Sequence, residues 1–142
     1  MQTSIQAPQF TPTVDEQTTQ ALGKIFWLIA TEYNFTPTQI KTILDIYNPQ
    51  TYSNYKKGKK IRESGDSYRR VGHLLGIKKN LEILYPRNPE VCAKWLSVKR
   101  KTFHDLSAIE FISEVPFESF ERLAAVRRLL DRLRNGSILE LL

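Results

Sequence analysis

The feature that most constrains the fold is a helical segment in the middle of the chain, residues 68–86, with the sequence YRRVGHLLGIKKNLEILYP. Apolar side chains recur three or four residues apart along it, which predicts a helix with one wide buried face. Asp66 is a candidate N-cap, and Pro86 predicts the end of the helix because proline cannot continue its hydrogen-bond ladder. Gly72 and Gly76 share one side. They indicate either a close approach of another helix backbone or a weak helix, since each costs about 1 kcal/mol relative to alanine.

The rest of the chain also predicts helices. Pairs of an N-cap residue and a following proline mark three helix starts, at Thr36-Pro37, Asn48-Pro49 and Asn88-Pro89. Helical spacing of apolar residues then predicts seven segments: residues 15–33, 37–46, 49–57, 68–86, 89–96, 107–114 and 117–134. No useful period-two pattern indicates strands. The sequence therefore predicts an all-α fold with about seven helices.

Length and composition indicate one domain or two very small ones, because 142 residues with 41% hydrophobic side chains can bury a core. The sequence shows no signal peptide and no apolar run of about 18 residues, so we expect a cytoplasmic protein without a membrane partner. The polar residues 1–14 predict a flexible N-terminal arm. The polar residues 63–67 predict a boundary between a module at 15–62 and a second one at 66–142.

Positive charge is concentrated in the middle third of the chain. Residues 55–101 carry 14 basic and 4 acidic side chains, a net charge of +10, whereas residues 1–54 and 102–142 each carry a net charge of −2. A basic zone of this kind attracts polyanions, and nucleic acid is the usual one. The same pattern also fits a solvated, lysine-rich surface.

The two short helices at 37–46 and 49–57, joined by a tight turn, predict a helix-turn-helix. The second helix carries side chains that can contact DNA bases, and a lysine run that can contact phosphates follows it. These candidate DNA-binding residues are Gln50, Thr51, Ser53, Asn54, Lys56, Lys57, Lys59 and Lys60. The arrangement resembles the Xre or Cro-type DNA-binding fold. A helical hairpin kept only for packing or dimerisation is the alternative.

Residues that carry catalytic or metal chemistry are sparse. His73, His104 and Cys92 lack the spacing of metal ligands, and Cys92 cannot form an intramolecular disulfide because it is the only cysteine. No phosphate-binding glycine loop and no nucleophile elbow occurs in the sequence. We therefore expect a binding protein and not an enzyme, with no catalytic residue, metal ligand or cofactor.

The second half of the chain resembles a known family. The matching stretches are RVGHLLGIKKNLEILYP at 70–86, KWL at 94–96, Phe103, LSAIEFI at 106–112 and VRRLLDRLRNG at 126–136. Together, residues 69–136 resemble the toxin-binding domain of the Xre/MbcA/ParS antitoxins. The family's loop glycines are absent here, where the chain has Phe103-His104-Asp105 and Ser107-Ala108. The helix-turn-helix fits the family's usual N-terminal module.

This resemblance implies specific partners. Such antitoxins neutralise RES-domain toxins, which consume NAD, and their C-terminal part covers the toxin's active site. Their helix-turn-helix, as a homodimer, binds the promoter DNA of their own operon and represses it. The candidate toxin-binding residues are Arg134, Ile138, Leu139, Leu141 and Leu142.

The apolar residues of 138–142 follow a helix stop signal at Asn135-Gly136, so a groove on a partner is a natural site for them. Folding back onto their own domain is the alternative. For the whole chain, the alternatives to an antitoxin are a stand-alone helix-turn-helix regulator and an adaptor that binds another protein without a toxin partner.

Overall fold

The computed structural model describes residues 16–62 and 66–136. In this part of the chain, seven α-helices and one short hairpin are present, which confirms the prediction of an all-α fold. The helices are α1 (Glu16–Glu32), α2 (Pro37–Leu44), α3 (Pro49–Gly58), α4 (Ser67–Leu84), α5 (Pro89–Ser97), α6 (Ala108–Glu114) and α7 (Ser119–Arg134). The predicted arm at 1–14 lies outside the described residues.

Side-chain caps start three of these helices. Thr36 and Gln39 form a capping box at α2, and the side chain of Asn48 accepts the backbone N–H of Gln50 at 2.8 Å at the start of α3. Ser107 forms a second capping box, with Glu110, at α6. These bonds satisfy backbone donors that a helix start leaves free.

Asp66 and Asn88 occupy the predicted N-cap positions of α4 and α5, but neither side chain makes a hydrogen bond to its helix start. The Asp66 carboxylate instead accepts a hydrogen bond from Nε of Arg70 at 3.0 Å. Helix α4 ends at Leu84, and the backbone N–H of Tyr85 caps it by donating to Leu81.

Residues 99–107, between α5 and α6, form a short hairpin that the sequence pattern did not indicate. Strands β1 (Lys99–Arg100) and β2 (Leu106–Ser107) pair antiparallel, with Lys99 opposite Ser107. Two residues are too short for a period-two pattern to be visible. The buried Phe103, in a 3₁₀ turn between the strands, anchors the connection to the core.

The core is one cluster of buried side chains from Phe26 to Leu133, with contributions from helices on both sides of residues 63–65. Helix α4 packs most extensively on α7. The two helices run parallel, because Arg70 bonds Ser119 at their first turns and Asn80 bonds Asp131 near their ends. The division into two modules stays a prediction.

The close backbone approach predicted at Gly72 and Gly76 is absent there. A Cβ on Gly72 would meet nothing within 4 Å, and a Cβ on Gly76 would collide with the side chain of Arg127 from α7. The close approach lies in α1 instead. A Cβ on Gly23 would collide with the backbone carbonyl of Lys59 and lie 2.9 Å from Cα of Lys60.

Candidate nucleic-acid interface

Helix α3 lies at the surface of the molecule and contains no fully buried residue. Tyr52 and Tyr55 are half-buried and attach it to the core. Of the predicted base-contacting residues, Gln50 and Asn54 are exposed, whereas Thr51 and Ser53 are partly covered. The side-chain amide of Gln50 donates to Oδ1 of Asn54 at 3.0 Å, so these two form one polar pair on the outer face.

The lysine run at 56–60, which begins in the last turn of α3, is held against α1. The indole N–H of Trp27 donates to the backbone carbonyl of Lys60 at 3.0 Å, and Gly23 leaves room for the backbone at Lys59. Lys59 adopts the left-handed conformation, with φ of 52°, and ends α3. Ile61 then enters the core. The backbone of this run is therefore fixed, and the lysine side chains extend from a defined surface.

These lysines have no acidic partner among residues 16–62 and 66–136. No ion pair in this part of the chain involves Lys56, Lys57, Lys59 or Lys60, all of which are exposed. Asp45 at the α2–α3 turn pairs with Arg62. The surface therefore keeps its positive charge, which is what a polyanion partner requires.

Lys41 of α2 belongs to the same surface, and sequence reasoning missed it. Its Nζ lies 5.2 Å from the centre of the Tyr52 ring, and Nζ of Lys56 lies 5.9 Å from the same ring. Nζ of Lys59 lies 5.8 Å from the Trp27 ring. A cavity of about 230 Å³ opens beside them, lined in part by Asn34. Lys41 stands alone in the sequence, and only the turn between α2 and α3 brings it to this surface.

Of the predicted toxin-binding residues, Arg134 alone lies in the part of the chain that the structure describes. Arg134 is exposed in the last turn of α7, and Gly136 has the predicted left-handed backbone, with φ of 77°. Ile138, Leu139, Leu141 and Leu142 lie outside the described residues. Another exposed apolar side chain, Phe117, is 96% accessible and lies with Tyr47 at a groove of about 580 Å³.

Cys92 and His73, whose side chains could act as nucleophile, base or metal ligand, pack against other parts of the fold. Cys92 is buried, and burial raises the pKa of its thiol. His73 is half-buried and packs its ring edge-to-face on Phe120, while burial, with Arg127 and Arg128 nearby, lowers its pKa. The described residues contain no group of three or more His, Cys, Asp or Glu side chains that could hold a metal ion.

In comparisons with known proteins, no family model, no curated protein and no solved structure matches the chain. Among the described residues, no helix has the length and apolar character needed to cross a membrane.

Proposed function

We propose that this protein is a non-enzymatic antitoxin that binds duplex DNA through α3 and the lysine run at 56–60, and binds a RES-domain toxin through its C-terminal part. The observation that carries the proposal is the anchored lysine surface. Its ammonium groups have no carboxylate partner in the described part of the chain, and its backbone is tied to α1 through Trp27 and Gly23. Phosphate contacts supply most of the affinity in such interfaces.

In this proposal α3 is the recognition helix of a helix-turn-helix. The four residues between α2 and α3 make a short turn, and Asn48 caps the helix that follows. Gln50 and Asn54 lie on its outer face, where amide side chains can pair with adenine in the major groove. A homodimer would place two such helices on successive half-sites of the operon's own promoter. Lysine contacts to phosphate would then position the protein on the duplex.

The toxin-binding half of the proposal rests on the resemblance of residues 69–136 to the Xre/MbcA/ParS antitoxins. Arg134 is exposed on the last turn of α7 and is available to a partner. The four apolar residues Ile138, Leu139, Leu141 and Leu142 follow it in the chain. We propose that they cover the active-site cleft of an NAD-consuming toxin.

DNA binding is tested by replacing Lys56, Lys57, Lys59 and Lys60 with alanine. We expect the slope of log K against log salt to fall by up to about 3.6, because each phosphate contact contributes about 0.9. Fluorescence anisotropy with the promoter duplex at several salt concentrations measures this. The K78A/K79A variant serves as a control on α4. An unchanged slope in the four-lysine variant would refute the assignment of this surface.

Toxin binding is tested by deleting residues 138–142. We expect the truncated protein to lose neutralisation of the toxin encoded by the neighbouring gene, scored as rescue of growth on co-expression, while it retains DNA binding. E140Q, which keeps the apolar residues, is the matched control. Equal rescue by the truncated protein would refute the role of this segment. DNA binding without any stoichiometric co-purifying partner would instead favour a stand-alone regulator.

A further inference from the structure

We propose, on the basis of the DNA-binding function above, that Lys41, Lys56 and Lys59 form a phosphate seat for the DNA backbone, organised by the rings of Tyr52 and Trp27. The seat joins α2 to α3 and to the residue that ends α3. It assigns a function to Lys41, which the sequence pattern left out. It also divides the lysines of the surface into two groups that we expect to contribute differently to DNA affinity and to its salt dependence.

The first step is geometric. The ammonium groups of Lys41 and Lys56 each lie within 6 Å of the centre of the same Tyr52 ring, at 5.2 and 5.9 Å. The Tyr52 and Trp27 rings meet edge-to-face with centres 5.9 Å apart, and Lys59 lies 5.8 Å from the Trp27 ring. Three cations from two helices therefore converge on one pair of aromatic rings.

The second step is electrostatic. An aromatic ring attracts a cation by its quadrupole but does not neutralise its charge. Among the described residues, none of these three lysines forms an ion pair with a carboxylate. The rings thus hold the ammonium groups in place and leave their charge available to an anion.

The third step identifies the anion. Lysine binds phosphate as a point charge, so the seat requires no particular orientation of the phosphate group. A DNA strand presents one phosphate per 3.4 Å of helix axis, so several ammonium groups spread over two helices can be used at once. We therefore assign the seat to a phosphate backbone, and an acidic peptide is the alternative that the experiment tests.

The remaining lysines of the run differ. Lys57 has no aromatic contact in the described structure, and the side chain of Lys60 lies along Gly58. K41A/K56A and K57A/K60A each remove two positive charges from the same surface. Their comparison separates a defined seat from general attraction by a basic surface.

The experiment measures binding of wild type and both double variants to a duplex of about 20 base pairs by anisotropy, from about 50 to 200 mM salt. We expect K41A/K56A to lower the slope of log K against log salt by about 2 and to weaken binding at least tenfold. We expect K57A/K60A to have less than half that effect on the slope. K41Q/K56Q, which keeps much of the aliphatic stems, should behave like K41A/K56A. Circular dichroism checks that each variant is folded.

Two further comparisons test the rings and the ligand. Y52F keeps the ring and should bind like wild type, whereas Y52L should reduce the salt slope. Poly-glutamate, as the acidic-peptide probe, should compete much more weakly than unlabelled duplex.

Equal losses of DNA affinity and salt slope in the two double variants would overturn the proposal of a seat and leave the proposal of DNA binding by the surface intact. Poly-glutamate that competes as well as DNA would overturn the phosphate assignment. A wild-type protein that binds no duplex, including its promoter, would overturn both the seat and the proposed DNA-binding function.

Discussion

Arg70 and Lys78 of α4 and the lysines at 56–60 belong to the same positively charged third of the sequence, yet their surroundings differ. In α4, Arg70 is buried and donates hydrogen bonds to the carbonyl of Ile43 at 3.2 Å and to the hydroxyl of Ser119 at 2.7 Å. Lys78 pairs with Glu32 at 2.8 Å and with Glu82 at 3.1 Å. Around α3, Lys41, Lys56 and Lys59 face aromatic rings, and none of them has a carboxylate partner in the described structure.

This difference shows that charge density along a sequence does not identify a binding surface. Arg70 and Lys78 connect parts of the fold, so they stabilise it, and carboxylates already compensate their charge. The lysines around α3 connect nothing acidic, so their charge remains for a partner. Variants of the first group should therefore change stability and not DNA affinity, and variants of the second group should do the opposite.

The largest effect on stability is expected from Arg70→Met. This change removes a buried guanidinium that joins the last turn of α2 to the starts of α4 and α7. Loss of a buried, hydrogen-bonded charge costs about 3–5 kcal/mol, and because Asp66 is half-exposed we expect about 2–3 kcal/mol. Urea unfolding followed by circular dichroism measures the free energy.

Arg70→Lys is the matched control and should lose less, because it keeps the charge but not the fork of donors. Below its melting temperature, Arg70→Met should bind duplex DNA as tightly as wild type. If Arg70→Met kept its stability but bound DNA more weakly, Arg70 would belong to the DNA-binding group and the division between the two groups would be refuted.

An intermediate effect is expected from Gly23→Ala. The new methyl would collide with the backbone at Lys59, which cannot move without displacing the bond between Trp27 and Lys60. Overpacking costs about 1–3 kcal/mol, which exceeds the gain of about 1 kcal/mol from helix propensity. We expect lower stability in thermal unfolding and weaker DNA binding, because the lysine run moves.

Gly72→Ala is the control, since its methyl would meet nothing within 4 Å. It should stabilise α4 by up to about 1 kcal/mol and leave DNA binding unchanged. If both alanine variants were equally stable, the close approach of α1 to the lysine run would be refuted.

The sequence predicts the local features of this fold well, for a physical reason. The bonds that Thr36, Asn48 and Ser107 make at helix starts involve residues two or three positions away, and the apolar spacing of each helix is local too. The buried face of α4 was therefore visible in the pattern. The two-residue strands were not, because so short a segment has no periodicity.

The candidate site was only partly predictable. The lysine run was evident as a charge cluster, but the bond that anchors it joins Trp27 to a residue 33 positions away. The contacts of Arg70 span 27 and 49 positions. Lys41 joins the surface only through the fold of the α2–α3 turn. A sequence pattern cannot show which of these charges will find partners.

The smallest expected effect concerns His73, which tests whether α4 and α7 meet through a neutral group. Burial lowers its pKa below the ordinary value, and Arg127 and Arg128 lower it further. The folded state therefore binds fewer protons than the unfolded state, so stability is fully present above pH about 6.5 and falls as pH drops below that value.

His73→Phe keeps the ring packing on Phe120 and removes both the titration and a buried nitrogen without a partner. We expect it to flatten the dependence of the unfolding free energy on pH just below 6.5, measured by urea titrations at several pH values. If wild type and variant lose stability equally over this range, the histidine does not contribute through its charge, and the α4–α7 contact is indifferent to protonation.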